Sequence, residues 1–377
     1  VNGVTESAQD RSVSTLELFT DLVFVFAVTQ LTALLAEDPT PRGVLEVLLI
    51  FGVAWWMFGG YVFLTNAMAP DRKVRRLLLL AGMMGFLVIG LAIPSAFHGG
   101  GVVLGLGYLV VVVVHAGLFI YGSGTPFVDV LRFAPMNLAG AVLILIGGVV
   151  QGTAAYVLWG LALGGQVVSS LVSVRGAFRL RVGHFVERYG LLVLIVLGES
   201  IVAIGVGAAG LPLDASLVGA AILALAITSG LWWIYFSGDD ARAAEALASA
   251  PVERHIRIAL GAFFYATIPM LLGVVALAAG VKTAIANAFD PLPPEGAAFL
   301  AAGVALYLLG DALFRRAIGA EKAVDRLLAG LVALLALPVG VGVSAIAELG
   351  MLLAVLVAVI ILAARTERMS HPAVEAA

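Results

Sequence analysis

Marked position by position as apolar or polar, the chain is a series of long apolar runs separated by short polar stretches. A helix needs roughly 20 apolar residues to cross a bilayer. Twelve runs approach that length: 16–36, 44–64, 77–97, 102–121, 134–150, 153–174, 186–207, 215–236, 257–280, 297–314, 325–343 and 346–364. The last two are divided around Gly340–Glu348, inside a segment (327–364) whose only charge is Glu348; read as one long helix, they lower the count to eleven. The pattern predicts an all-α, polytopic transmembrane helix bundle.

The runs also resemble one another across the chain. Displaced by 170 residues, ELFTDLVFVFAVTQ from Glu17 meets ERYGLLVLIVLGES from Glu187, so Glu17 falls on Glu187 and Thr29-Gln30 on Glu199-Ser200. AWWMFGGY from Ala54 answers LWWIYFSG from Leu231, and HAGLF at His115 answers DALF at Asp311. Six spans is an even number, so the expected halves, 1–175 and 176–377, are parallel repeats about an axis along the membrane normal, within one integral membrane domain. Shared apolar composition is the plainer alternative, but the paired Trp-Trp and the paired Glu favour the repeat.

Composition agrees with lipid as the surroundings. Hydrophobic residues make up 62% of the chain and charged ones 12%, against about 25% charged in a soluble domain. A net charge of −3 gives no reason to expect a nucleic-acid partner. With no cysteine there is no disulfide, thiolate ligand or cysteine nucleophile, and the five histidines lack metal-ligand spacing. Residues 1–15 are polar and the first apolar run is long enough to span, so no cleavable signal is expected. The chain opens on Val1 rather than Met, which suggests a trimmed or renumbered start. On the twelve-span reading, 19 of the 21 Lys and Arg fall on one side, Arg42 and Lys282 being the exceptions. That asymmetry predicts both termini in the cytoplasm.

Against this background the polar residues inside runs stand out. A charge there costs roughly 2.5–3.5 kcal/mol on insertion scales, so it must face protein, water or a ligand. Glu17 lies near the cytoplasmic end of the first span, where snorkelling or the positive helix N-terminus explains it as well as a site does. Asp21 is one turn deeper, about 6 Å, on the same face. Glu199 sits near the bilayer middle, where desolvation favours a neutral, hydrogen-bond-donating acid; a bond to a neighbouring backbone is the plainer role. His115 and Asp311, in the cytoplasmic halves of their spans, are placed to pair with each other or with Asp21. His184, Glu187 and Arg188 open the seventh span and read equally as a solvated helix start. Asp71 with its basic neighbours, and Asp239 and Asp240 with Arg242, read as topology signals and headgroup contacts. Mg²⁺ is expected at Asp239 and Asp240 only for a diphosphate substrate, and no other metal or cofactor is predicted.

Aromatic residues accompany the acids. Trp55, Trp56 and Tyr61 fall at mid-depth or beyond, where an interfacial belt is a poor explanation. Trp232 and Trp233 end the eighth span, where a belt suffices. Phe263 and Tyr265, followed by Thr267, lie in the ninth. With His184, Glu187 and Arg188, these are the candidate substrate-binding residues. Desolvated aromatic faces stabilise a cation by about 2 kcal/mol.

The stretches LELFTDLVFVFAVTQL from Leu16, AWW from Ala54, AIPSAF from Ala92, GHFVERYGLLVLIVLGES from Gly183 and LWWIYF from Leu231 resemble the bacterial low temperature requirement A (LtrA) family, over about residues 14–345. The resemblance implies a multi-pass protein of the bacterial inner membrane and carries no defined reaction. Glu17, Asp21, His184, Glu187 and Glu199 match the family pattern. His115 stands where Arg is usual, Thr267 before Ile268-Pro269 where His is usual, and Asp311 after Gly310 where His is usual. Three such changes suggest one retuned interior site, or independent drift.

Two functional readings follow. In the first, an intramembrane enzyme cyclises a lipophilic isoprenoid, as membrane terpene cyclases do. A carboxylic acid protonates an alkene or epoxide, aromatic faces hold the carbocation, and the dry cavity prevents quenching. Asp311 is the first candidate acid, with Asp21, Glu17, Glu199 and His115 as alternatives or helpers. In the second, a proton-coupled secondary transporter moves a small molecule. A membrane protein with structural acids and no catalytic role is the third. The expected partners are the lipid bilayer and a lipophilic small molecule, and a homo-oligomer stays open.

Overall fold

Lipid offers no partner to a backbone N–H or C=O, so a spanning segment must satisfy its own, and the helix is the local solution. A computed structural model describes residues 12–68, 72–122, 127–173, 180–320 and 323–370; at 122, 127–133, 170–173, 252–253 and 366–370 it describes the backbone alone. Asp71 lies outside these residues. The helices are α1 (Thr15–Glu37), α2 (Pro41–Ala67), α3 (Lys73–Ala92), α4 (Gly101–Gly122), α5 (Phe127–Val150), α6 (Gly152–Ser173), α7 (Val182–Gly207), α8 (Ala215–Phe236), α9 (Asp239–Ser249), α10 (Val252–Ile258), α11 (Thr267–Ala286), α12 (Pro294–Ala317), α13 (Ala323–Leu334), α14 (Leu337–Gly342) and α15 (Ala345–Ser370). Among the described residues, ten stretches are long and apolar enough to cross a membrane, and Ala134–Val150 is a shorter apolar one. Every one of the twelve predicted runs carries a helix, so the molecule is an all-α polytopic bundle.

Helix breaks occur where proline chemistry puts them. Pro94 ends α3 in a single 3₁₀ turn, Ile93–Ser95. Pro269 has no N–H for the carbonyl of Tyr265, and the turn Ala259–Tyr265 just before it widens to π-helical geometry, with Ala266 N–H bonded to Gly261 O at 3.1 Å. Pro338 likewise leaves the carbonyl of Leu334 without its donor, and α13 stops at Leu334. The last two spans are separate, as predicted: Ser344 Oγ accepts the Ala347 N–H, while Asp290 O and Ala288 O accept those of Ala345 and Ile346. A new helix can therefore start at Ala345, its end groups already satisfied.

The chain forms two compact units: Val1–Ile195 with Ala248–Arg257, and Val196–Leu247 with Ile258–Ala377. In the first, α1 packs on α2 and α3, the order α3–α4–α5–α6 is sequential, and α6 returns to α2. In the second, α11 and α12 form the closest pair, α13 and α14 lie on α12, and α15 packs against α8, α13 and α14. Glycines allow that closeness. A Cβ built on Gly273 would stand 2.6 Å from Gly303 O, one on Gly303 2.5 Å from Leu277 N, and one on Gly310 2.3 Å from Met270 Cγ. Close approach of this kind lets dispersion contacts and main-chain dipoles hold helices together where the hydrophobic effect is absent.

The outward faces are apolar. On α1, Phe19 and Leu22 are each 52% exposed, whereas Glu17 and Asp21 are enclosed. This inverts the amphipathic pattern of a soluble helix and directs the acids toward the protein interior.

Candidate functional site

The densest polar constellation lies in the first unit, between the N-terminal end of α1, the C-terminal end of α2 and the start of α7. Ser14 caps α1 and forms a reciprocal box with Glu17: Glu17 N–H donates to Ser14 Oγ at 3.3 Å, and Ser14 N–H and Oγ donate to Glu17 Oε2 at 2.9 and 2.7 Å. Glu17 is thus a structural cap, and it also accepts from α7. Arg188 Nη1 donates to Glu17 Oε1 at 3.2 Å, and His184 Nε2 stands 3.2 Å from Oε2. One turn further into α1, Asp21 Oδ1 accepts from Arg188 Nη2 at 2.9 Å. Arg188 Nη1 also donates to Thr65 Oγ1.

The surrounding bonds set the orientation of these groups. Asn66 Nδ2 lies 3.2 Å from His184 Nδ1. An amide N–H donates, so Nδ1 accepts and the ring proton sits on Nε2, facing Glu17. Asn66 in turn pairs with the backbone of Arg181, 3.0 Å in each direction. The Arg181 guanidinium caps the end of α2 by donating to Asn66 O at 2.5 Å and Thr65 O at 2.8 Å, a favourable place for a cation on a helix. Two groups keep open valence: Asp21 Oδ2 and Arg188 Nε are buried without a hydrogen-bond partner. Beyond them stand aromatic rings. Trp55 meets Tyr189 edge-on at 6.4 Å, and Phe24 lies 5.9 Å from Trp55 and 4.1 Å from Phe58.

The other candidates distribute as follows. His115 packs against Gly60, between Tyr61 at 5.3 Å and Phe119 at 5.0 Å. Tyr61 donates to Val111 O at 2.9 Å. Trp56 is half-buried. Glu187 is exposed and accepts the Val13 N–H at 3.1 Å. In the second unit, Asp311 is enclosed and its Oδ2 lies 2.9 Å from Arg326 Nε, an ion pair rather than an aligned hydrogen bond. Arg242 and Arg315 attend Asp239, the latter at 3.8 Å. Asp239 thus faces arginines, while Asp240 Oδ1 accepts the N–H of Ala241. No group of three potential metal ligands occurs among the described residues. Trp232 and Trp233 are 41% and 52% exposed, on the outward face of α8. Phe263 meets Phe314 edge-on at 5.2 Å, Tyr265 lies against Phe264, and Thr267 and Glu199 are buried.

The structure adds residues that sequence reasoning passed over. Thr65, Asn66 and Arg181 complete the first constellation, and Arg326 neutralises Asp311. Arg42, Glu46 and Tyr156 make a further network: Tyr156 OH donates to Glu46 Oε1 at 2.5 Å, and Arg42 Nε lies 3.0 Å from the same oxygen. Two of these associations are marked in the sequence by a four-residue spacing that sets both residues on one helical face: His184 with Arg188, and Arg42 with Glu46.

The comparisons fit this geometry. Residues 12–361 match the model of the bacterial low temperature requirement A protein, LtrA. An uncharacterized protein of Rhizobium meliloti (strain 1021) is 26% identical over 324 residues, covering 82% of this chain and 79% of its own. The matched region includes every residue of both acidic clusters and all the helices that carry them. The chain belongs to the bacterial low temperature requirement A (LtrA) family, as a multi-pass membrane protein with buried acidic and aromatic clusters.

Proposed function

We propose that the protein is a secondary carrier in which the constellation of Glu17, Asp21, His184 and Arg188 couples proton binding to the passage of a small solute. The observation that carries this reading is the sharing of Arg188 between two enclosed carboxylates, with Asp21 Oδ2 and Arg188 Nε left open. A carboxylate engaged by a guanidinium must first release it before it can deliver a proton to an alkene. It suits coupled transport. Protonating Asp21 loosens its hold on Arg188, and the freed guanidinium can take an anionic group, so the solute competes with Asp21 for one arginine and binds together with the proton.

A second reading keeps the acid-initiated cyclase. The rings of Phe24, Trp55, Phe58 and Tyr189 beside the acids support it, since they form a surface suited to a carbocation. It requires one of the acids to exchange its arginine for a substrate.

The test uses inverted membrane vesicles carrying a fluorescent reporter of the pH gradient and a panel of small carboxylates, amines and zwitterions. At least one solute should dissipate the gradient in vesicles with the native chain and not with Asp21→Asn. No solute-coupled proton flux, together with conversion of a linear isoprenoid to an isomeric cyclic product, would replace the carrier with the cyclase.

A further inference from the structure

Glu348 belongs to neither cluster; it lies in the first turn of α15 and is the one acid of the long apolar segment 327–364. Its side chain is enclosed, at 0% exposure, and neither carboxyl oxygen has a hydrogen-bond partner. A carboxylate in a helix's first turn ordinarily draws on the free N–H groups there. Here none is left. Ala345 and Ile346 donate to Asp290 O and Ala288 O, Ala347 to Ser344 Oγ, and Glu348 itself to Ser344 O. The carboxyl instead lies on the Cα of Gly340, where a built Cβ would stand 1.8 Å from Oε2 and 3.0 Å from the methyl of Ala297.

Among the described residues, no ion pair or hydrogen bond reaches its carboxyl. Helices α8 and α14, which pack on α15, carry no charged residue. The charged groups of the neighbouring elements, Glu295 of α12, Lys282 of α11, Asp290 before α12 and Asp325 of α13, form no ion pair with Glu348, and Asp311 of α12 pairs with Arg326 of α13. An ionised carboxylate left like this would carry a desolvation penalty with no return. The chain nevertheless places a glycine at 340 to make room for it.

We infer that Glu348 is a proton-binding site, occupied in this conformation, whose release of the proton requires the α14–α15 break to rearrange. The ligand is a single proton, taken up by the carboxylate to give the neutral acid and returned on release. Gly342 and Val343, just before α15, are exposed. The short helix α14 is tied at Gly340 O to the Leu292 N–H at 2.9 Å, the bond that a rearrangement of the break has to open. This inference stands whichever activity the Arg188 constellation has.

Infrared spectroscopy of the purified full chain tests it. A protonated-carboxyl C=O band, shifted in D₂O, should be present at neutral pH, vanish in Glu348→Gln and persist in Asp311→Asn. Glu348→Gln and Glu348→Met should both fold with a thermal midpoint close to that of the native chain, because each replaces a neutral group with another. Retention of the band in Glu348→Gln overturns the inference. So does failure of both neutral variants to fold, which would mean that the charge is needed. Bleaching of the band by Na⁺ or Li⁺ at constant pH would make the ligand a metal cation instead.

Discussion

Arg188 reaches Glu17, Asp21 and Thr65 on two other helices, and removing it would strand two carboxylates in an enclosed site. Breaking a buried pair from one side costs about 3–5 kcal/mol, far more than the pair contributes relative to apolar residues of similar size. Arg188→Met should therefore lower the thermal midpoint sharply in detergent, and adding Glu17→Gln with Asp21→Asn should restore much of it. Equal midpoints for the native chain and Arg188→Met would show that the arginine does not hold the cluster. A gentler case is Asp214, whose carboxylate accepts the Leu217 N–H at 3.0 Å and the Ser216 hydroxyl at 2.6 Å to cap α8. These bonds hold its pKa below the ordinary 3.8, so its contribution is complete above that value and fades as pH falls through the lower, folded one. Asp214→Asn keeps the cap and loses the titration. Amide exchange at the start of α8 should accelerate in acid for the native chain and stay flat for the variant; identical profiles would refute this. Burial of the acids at this scale was legible, because a charge in an apolar run has to be sheltered. Their partners were not, since Arg188 stands 167 residues from Asp21 and Arg326 comes to Asp311 from the following helix.

Among the elements, the α11–α12 pair depends on glycines spaced seven apart: Gly273 and Gly280 on one helix, Gly296, Gly303 and Gly310 on the other. Gly303→Val would drive a branched side chain into the Leu277 backbone. Overpacking costs typically about 1–3 kcal/mol, and more where the obstacle is main chain. The variant should elute as aggregate or unfold at a lower temperature, whereas Gly342→Ala, with nothing within 4 Å of the added atom, should behave as the native chain. Indistinguishable behaviour of the two would remove the seam from the account. The expected runs 77–97 and 325–343 pass through Pro94 and Pro338, whereas the structure breaks the helix at each of these prolines. The π-helical turn before Pro269 had no notice in the sequence, because a widened turn depends on which carbonyls come near.

For the molecule as a whole, the distribution of Lys and Arg, 19 against 2, leads us to expect both termini in the cytoplasm. Reporter fusions after Arg365 and within 281–295 should read cytoplasmic and external, and the same side for both would end that topology. The proposed repeat has a harder standard to meet. Glu17 is enclosed where its aligned Glu187 is exposed, and Trp55 is 1% exposed where Trp232 is 41%, so alike sequence has been put to unlike use. Helical class and membrane residence were determined by the sequence alone, because lipid forces every spanning backbone to satisfy itself within about 20 residues. The pairing of Asp21 with Arg188 and of Asp311 with Arg326, and the isolation of Glu348, were decided only by tertiary structure. An apolar helix can turn any face inward, and which charge meets which is settled by packing between helices, which no local pattern records.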